Sequence, residues 1–283
     1  MSKKTLNELT LKDNFMFGAV MTNEENCRKF LNLVLDFPID KVEVCKEKSM
    51  IYHPEYKGIR LDVYAKGREN THYNIEMQVV KKPALGRRSR YYHSQIDMEL
   101  LLAGNDYRKL PQVYVIFICD FDPFKQKKYK YTFENRCVEE GKLSLRDGRH
   151  TIFLSTRGEN GGEISRELKK FLEFVRADLQ ESQKDFEDDF VKQLQNFIFQ
   201  VKRDREMEGR FMLLELLLQD ERAEGVLEGK REGILELLSD LDTVPEDLEN
   251  EVESQEDPEV LGIWLKLAAR ASSLEEFREN IHK

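Results

Sequence analysis

The sequence predicts an α/β fold, with a mixed central sheet flanked by helices and then an all-α C-terminal region. Three observations carry that prediction. The run "QVYVIFICDF" at 112–121 is almost continuously apolar, as a strand covered on both faces is. Upstream, "GIRLDVYAKG" and "HYNIEMQVV" alternate apolar and polar residues with the two-residue period of a half-buried strand. Beyond about residue 178 only helical spacing is left, and the charge changes sign. Residues 1–180 hold 32 Lys and Arg against 26 Asp and Glu, whereas 181–283 hold 13 against 28. We therefore divide the chain into an α/β domain at 1–178, an acidic helical or linker region with repeated glycines at 179–232, and a small helical region at 233–283.

From the N-terminus, "TLKDNFMFGAVMTNEENCRKFLNLVLD" sets Phe15, Val20, Phe30, Leu33 and Val34 at helical intervals. That spacing predicts two helices parted at "MTNEEN", where Thr22 or Asn23 caps the second. "IDKVEVCKEKSMIY" is strand-like. The strand "GIRLDVYAKG", the turn "KGREN" and the strand "HYNIEMQVV" then form a hairpin. "ALGRRSRYYHSQIDMELLLAGNDY" has helical spacing through Tyr92, Ile96 and Leu100 and stops near Gly104. The buried strand at 112–121 follows, then a basic surface loop, "KQKKYKY", which suits nucleic-acid contact and plain solvation equally. "HTIFLST" is a short strand and "EISRELKKFLEFVRADL" a helix, which completes the first domain.

In the helical part, Phe186, Phe190, Leu194, Phe197 and Val201 make an apolar stripe. It suits either packing on the first domain or a homodimer through the C-terminal helices. Gly225, Gly229 and Gly233 recur every fourth residue, at about 1 kcal/mol each relative to alanine. Close helix–helix approach and a frayed charged linker both accommodate them. The last segment, from "VPEDLENEV" onward, reads as a helical cap with Trp264 and Leu267 facing inward.

Composition excludes several classes. A hydrophobic fraction of 40% with seventeen Phe and ten Tyr is ample for a core. No stretch reaches the roughly 18 apolar residues of a membrane span, and "MSKKTLNELTLKDNF" has no signal-peptide run. Cys27, Cys45, Cys119 and Cys137 are widely separated and five His lack zinc spacing. Reduced thiols in a cytoplasmic protein without a membrane partner are the expectation.

The hairpin carries the chemistry. Asp62 and Glu76 are equidistant from Glu69, so a turn centred there puts the two acids opposite each other on one face, with Gln78 beside them. Opposed carboxylates destabilise a sheet, and a divalent cation between them removes the conflict. A solvated strand face also carries Glu and Gln. No acidic residue lies between Glu76 and Asp97, while Lys81, Lys82, Arg87, Arg88 and Arg90 do, with Tyr91 among them. Such a cluster suits a phosphodiester backbone, although arginines also decorate solvated helix starts.

These segments, "RLDVYAKG", "YNIEMQVV", "RRSRYYHSQIDMELLLAGNDYRKLPQVYVIFICDFDPF", "YTFENRC" and "LRDGRHTIFLSTRG", resemble the recombination-promoting nuclease/transposase family of the PD-(D/E)XK nuclease superfamily over roughly residues 8–176. The resemblance implies a restriction-endonuclease-like mixed sheet. It also implies Mg²⁺- or Mn²⁺-dependent endonuclease cleavage of DNA phosphodiesters, linked to transposition-like recombination. Asp62 and Glu76 match the two motif acids as catalytic and metal-binding residues, and the Met77 backbone carbonyl completes the implied metal shell. Gln78 stands where the superfamily has lysine and can orient water only by hydrogen bonds. Family members often have Asp where Asn14 stands; Asp13 is one residue early, about 100° around the helix. Lys81, Lys82, Arg87, Arg88, Arg90 and Tyr91 are the expected DNA contacts. The alternative is a catalytically weak or inactive DNA-binding or regulatory protein derived from such a nuclease, which Gln78 and Asn14 motivate.

Overall fold

The sheet is arranged around its most apolar strand. The computed structural model describes residues 4–35, 37–50 and 59–282. In chain order these residues form α1 (Asn14–Met21), α2 (Glu24–Val34), β1 (Glu43–Met50), β2 (Ile59–Lys66), β3 (His72–Gln78), α3 (Leu85–Leu100), β4 (Val113–Cys119), β5 (Lys130–Phe133), β6 (Arg149–Ser155) and α4 (Arg166–Arg176). The helices α5 (Asp189–Arg203), α6 (Arg205–Ser239), α7 (Glu246–Ser254), α8 (Pro258–Ala268) and α9 (Leu274–Ile281) follow. Ile51 and Tyr52, at the predicted end of the first strand, lie outside the described residues.

The strand order is β1-β2-β3-β4-β6-β5. β4 lies parallel to β3 on one side and to β6 on the other, while β1 with β2, β2 with β3 and β5 with β6 are antiparallel. The sheet is thus mixed, in keeping with a restriction-endonuclease-like fold. Joining parallel β3 to β4 needs a crossover, and α3 supplies it. Every residue of β4 is buried, as a central strand requires.

One face of the sheet packs on α3, where Tyr92 and Ile96 meet Val113, Val115, Phe117 and Phe153. Phe117 and Phe153 stack with ring centroids 5.0 Å apart. Among the helices, α1 packs on β2 and α2 on β1. Asn23, one of the two predicted caps, accepts the Asn26 amide at the start of α2.

Three expectations change. The basic "KQKKYKY" segment is a loop only in part, because its last residues enter β5, an edge strand paired with β6 from Lys130↔Leu154 to Phe133↔Thr151. Four residues of alternating Lys, Tyr, Thr and Phe give too short a period to recognise. Three of its four lysines are also engaged: Lys127 with Glu159 at 3.0 Å, Lys128 with Glu163 at 3.1 Å, and Lys130 with the Val34 carbonyl at 2.7 Å. Secondly, the chain divides into units at Met1–Glu208 and Gly209–Lys283, so α5 belongs with the sheet and not with a linker. Phe190 stacks on Phe171 of α4 (6.0 Å) and Phe186 meets Phe174 edge-on (5.4 Å). Phe186 and Phe190 of the stripe thus meet their own domain, Leu194 and Val201 are buried, and Phe197 is half-buried.

Thirdly, α6 runs unbroken through Gly225, Gly229 and Gly233. A Cβ at Gly225 or Gly229 would meet nothing within 4 Å, whereas one at Gly233 would lie 3.3 Å from Leu265. Only the last glycine marks a close approach. The second unit has its own core of Ile234, Leu238, Leu248, Val252, Leu261, Trp264 and Phe277, with Leu267 half-buried against it. No helix among the described residues is long and apolar enough to cross a membrane.

Candidate active site

The β2–β3 hairpin has the register the sequence predicts. Gly67 and a short 3₁₀ turn at Arg68–Asn70 reverse the chain, with the Gly67 amide on the Thr71 carbonyl at 2.8 Å. Paired residues run from Lys66↔His72 to Val63↔Ile75. One step further the next pair is Asp62 with Glu76, and here the backbone ladder gives way to side chains. The Asp62 amide donates to Glu76 Oε1 (3.3 Å), and the Met77 amide donates to Asp62 Oδ2 (3.0 Å). Each carboxylate thus accepts a backbone amide from the opposite strand, and the two acids are brought together crosswise.

Glu76 is fully buried, with 0% of its surface exposed. Burial, and then the neighbouring Asp62 charge, push its pKa up from 4.5 to about 8, against the opposing pull of Arg88.

Gln78 is buried on the same face two residues on. Its Nε2 donates back to the Met77 carbonyl at 2.9 Å, so that predicted ligand already has a protein partner. Arg88, from the first turn of α3, reaches inward. Its Nη2 meets Glu76 Oε2 at 2.8 Å, its Nη1 donates to Gln78 Oε1 at 3.0 Å, and its Nε donates to the Tyr92 hydroxyl at 2.6 Å. That hydroxyl also lies 3.4 Å from Glu76 Oε2, and the guanidinium sits 5.0 Å from the Tyr92 ring centre. Sequence reasoning placed Arg88 among outward phosphate contacts and did not single out Tyr92. The four-residue spacing of Arg88 and Tyr92, which puts both on one helix face, was the available signal.

The other predicted residues separate into groups. Lys81, Lys82, Arg87 and Arg90 are exposed. Tyr91 is half-buried and packs against the α3-side core. Asp13 is turned to its own chain: Oδ2 accepts the Thr10 amide (2.7 Å) and Oδ1 meets Lys4 (2.7 Å). Asn14 is exposed. Among the described residues, no hydrogen bond joins either to Asp62 or Glu76. Beside Gln78, the Asp120 amide donates to the Gln78 carbonyl at 3.0 Å. The Asp120 carboxylate gathers Lys12 (3.4 Å), Arg157 (3.2 Å) and the Thr156 hydroxyl (2.8 Å), a cation cluster that sequence spacing could not reveal.

Residues 12–223 match the PD-(D/E)XK nuclease family transposases. The chain belongs to that family. Membership supports a nuclease-related function, and PD-(D/E)XK nucleases generally use divalent metals. No curated protein and no solved structure matches the chain.

The donor set fits such an ion. Asp62 and Glu76 offer hard carboxylate oxygens, and a divalent charge offsets the repulsion that raises the Glu76 pKa. No cluster of three or more His, Cys, Asp or Glu side chains suited to a metal occurs among the described residues. Two carboxylates with water and phosphate oxygens are what a magnesium-like ion takes.

Proposed function

We propose that this family member is a metal-dependent DNA endonuclease that hydrolyses phosphodiester bonds and serves transposition-like recombination. The crosswise Asp62–Glu76 pair is the observation that carries the reading. Asp62 and Glu76 would hold Mg²⁺ or Mn²⁺, which when bound supplies a Lewis acid for the phosphoryl oxygens. Without the ion, burial and the Asp62 charge favour the protonated form of Glu76, so loading the metal would release a proton from this carboxyl. Gln78, neutral and held by Arg88, contributes orientation through its amide. Lys81, Lys82, Arg87 and Arg90, all exposed, would supply phosphate contacts, which fix the backbone without reading bases. The carboxyl edge of parallel strands, where β3 ends, is the usual place for ligands in α/β sheets. A cytoplasmic location suits a DNA substrate and four free thiols.

The test is divalent-metal-dependent nicking of supercoiled plasmid by the purified chain and by Asp62→Ala. Loss of nicking in the variant supports the reading, and equal cutting by both rules this site out. Salt-dependent DNA binding by the wild type without any nicking would favour the second reading, a DNA-binding derivative, for which the uncharged Gln78 and Asn14 speak.

A further inference from the structure

We infer that Arg88 is the fixed cation of the acid pair: a positioning residue whose charge does from α3 what the neutral side chain at position 78 cannot do from β3. The inference rests on the nuclease reading for the reaction it serves, but not for the geometry that suggests it.

Position 78 faces the acids and carries an amide, so β3 itself brings no positive charge to the site. Arg88 ends at that spot from another element, with one nitrogen on Glu76 and the other on Gln78, at 2.8 and 3.0 Å. Its planar fork spans both partners at once, which a lysine ammonium does not. Its location is otherwise unfavourable. The first turn of a helix repels a cation, and withdrawing a guanidinium from water is costly. The neighbouring Arg87 and Arg90 stay exposed, while the Arg88 side chain is 30% exposed. Tyr92 adds a hydroxyl acceptor and an aromatic face, so three hydrogen bonds and a ring contact hold the guanidinium in one orientation. Glu76 Oε2 accepts from Arg88, so Arg88 and a divalent ion compete for the same carboxylate. With an ion on Glu76, the guanidinium would keep its bonds to Gln78 and Tyr92 and so would hold the Gln78 amide in place.

The experiment compares the full-length wild type with Arg88→Met, Arg88→Lys and the double variant Gln78→Lys/Arg88→Met. Thermal unfolding is followed with and without millimolar Mn²⁺, and plasmid nicking is resolved into kcat and KM. Arg88→Met should gain more thermal stability from Mn²⁺ than the wild type does, because the ion replaces the missing charge. It should lose about 100-fold in kcat with KM within about threefold. The double variant should return the Mn²⁺ gain to the wild-type value and recover at least about tenfold of kcat. Arg88→Lys keeps the charge without the fork; its Mn²⁺ gain should match wild type while kcat falls about tenfold. Equal Mn²⁺ gains in wild type and Arg88→Met, or a folded double variant no better than Arg88→Met, would overturn the inference. If Arg88→Met does not fold, Arg88→Lys decides, and wild-type kcat there refutes the positioning role. A wild type that responds to Mn²⁺ without nicking would sink the nuclease reading alone and leave the Mn²⁺ gains to judge Arg88. No response to Mn²⁺ in any variant would overturn the inference.

Discussion

Replacing Glu76 by Gln should make the metal-free protein more stable in alkali and leave it little changed in acid. Glu76 has its pKa raised from 4.5 to about 8. Between those values the folded chain binds a proton that the unfolded chain has released, so stability falls as pH rises. At about 1.4 kcal/mol per unit, the full loss above pH 8 is roughly 5 kcal/mol. Two buried histidines complicate the acid side: burial lowers His72 to about 4 and His93 to about 3. Their contribution is lost as pH falls below about 6.5, so the informative window is pH 7 to 9. Across it the Glu76 contribution falls by roughly 1 kcal/mol. Cys27 and Cys119, whose thiols burial pushes up to about 12, lower stability in the same window in both proteins. The difference between wild type and Glu76→Gln cancels them. The assay is urea unfolding in EDTA at several pH values. The difference should grow by roughly 1 kcal/mol in favour of Glu76→Gln from pH 7 to 9, and added Mg²⁺ should flatten the wild-type curve. Parallel curves, or a variant less stable at pH 9, would refute the assignment of proton affinity to this carboxylate.

Charge removal at Lys81→Gln/Lys82→Gln should weaken DNA binding uniformly across sequences. It should also reduce the salt slope by about 0.9 for each phosphate that is no longer neutralised, as measured by fluorescence anisotropy. Gly225→Ala and Gly229→Ala, where a Cβ meets nothing within 4 Å, should each stabilise the helical unit by about 1 kcal/mol in thermal unfolding.

The hairpin register was legible because a two-residue period and a short turn leave little freedom. Placing Asp62 against Glu76 needed only the position of Glu69. β4 was legible because seven consecutive apolar residues have no solvent face to offer. Arg88 was not, since its direction depends on how α3 lies over β3, which no local pattern encodes. Reading it with Arg87 and Arg90 treated three neighbours as one surface, although helical geometry sends them in different directions. The Lys12–Asp120–Arg157 cluster was hidden for a related reason, as its members are more than a hundred residues apart in part and meet only at the strand ends. The boundary after α4 was drawn too early because the apolar stripe suits packing on the first domain and a second copy equally; Phe186 and Phe190 meet Phe174 and Phe171 of α4.

Where the paired backbone of β2 and β3 stops, two carboxylates act as the clasp that keeps the strands closed. The atoms offered to an incoming ion are therefore already in service as joinery. Anything that captures them must loosen that seam or share it, so loading the centre and relaxing the neighbouring edge are one event. A descendant that discarded both acids would have to refasten its sheet by other means.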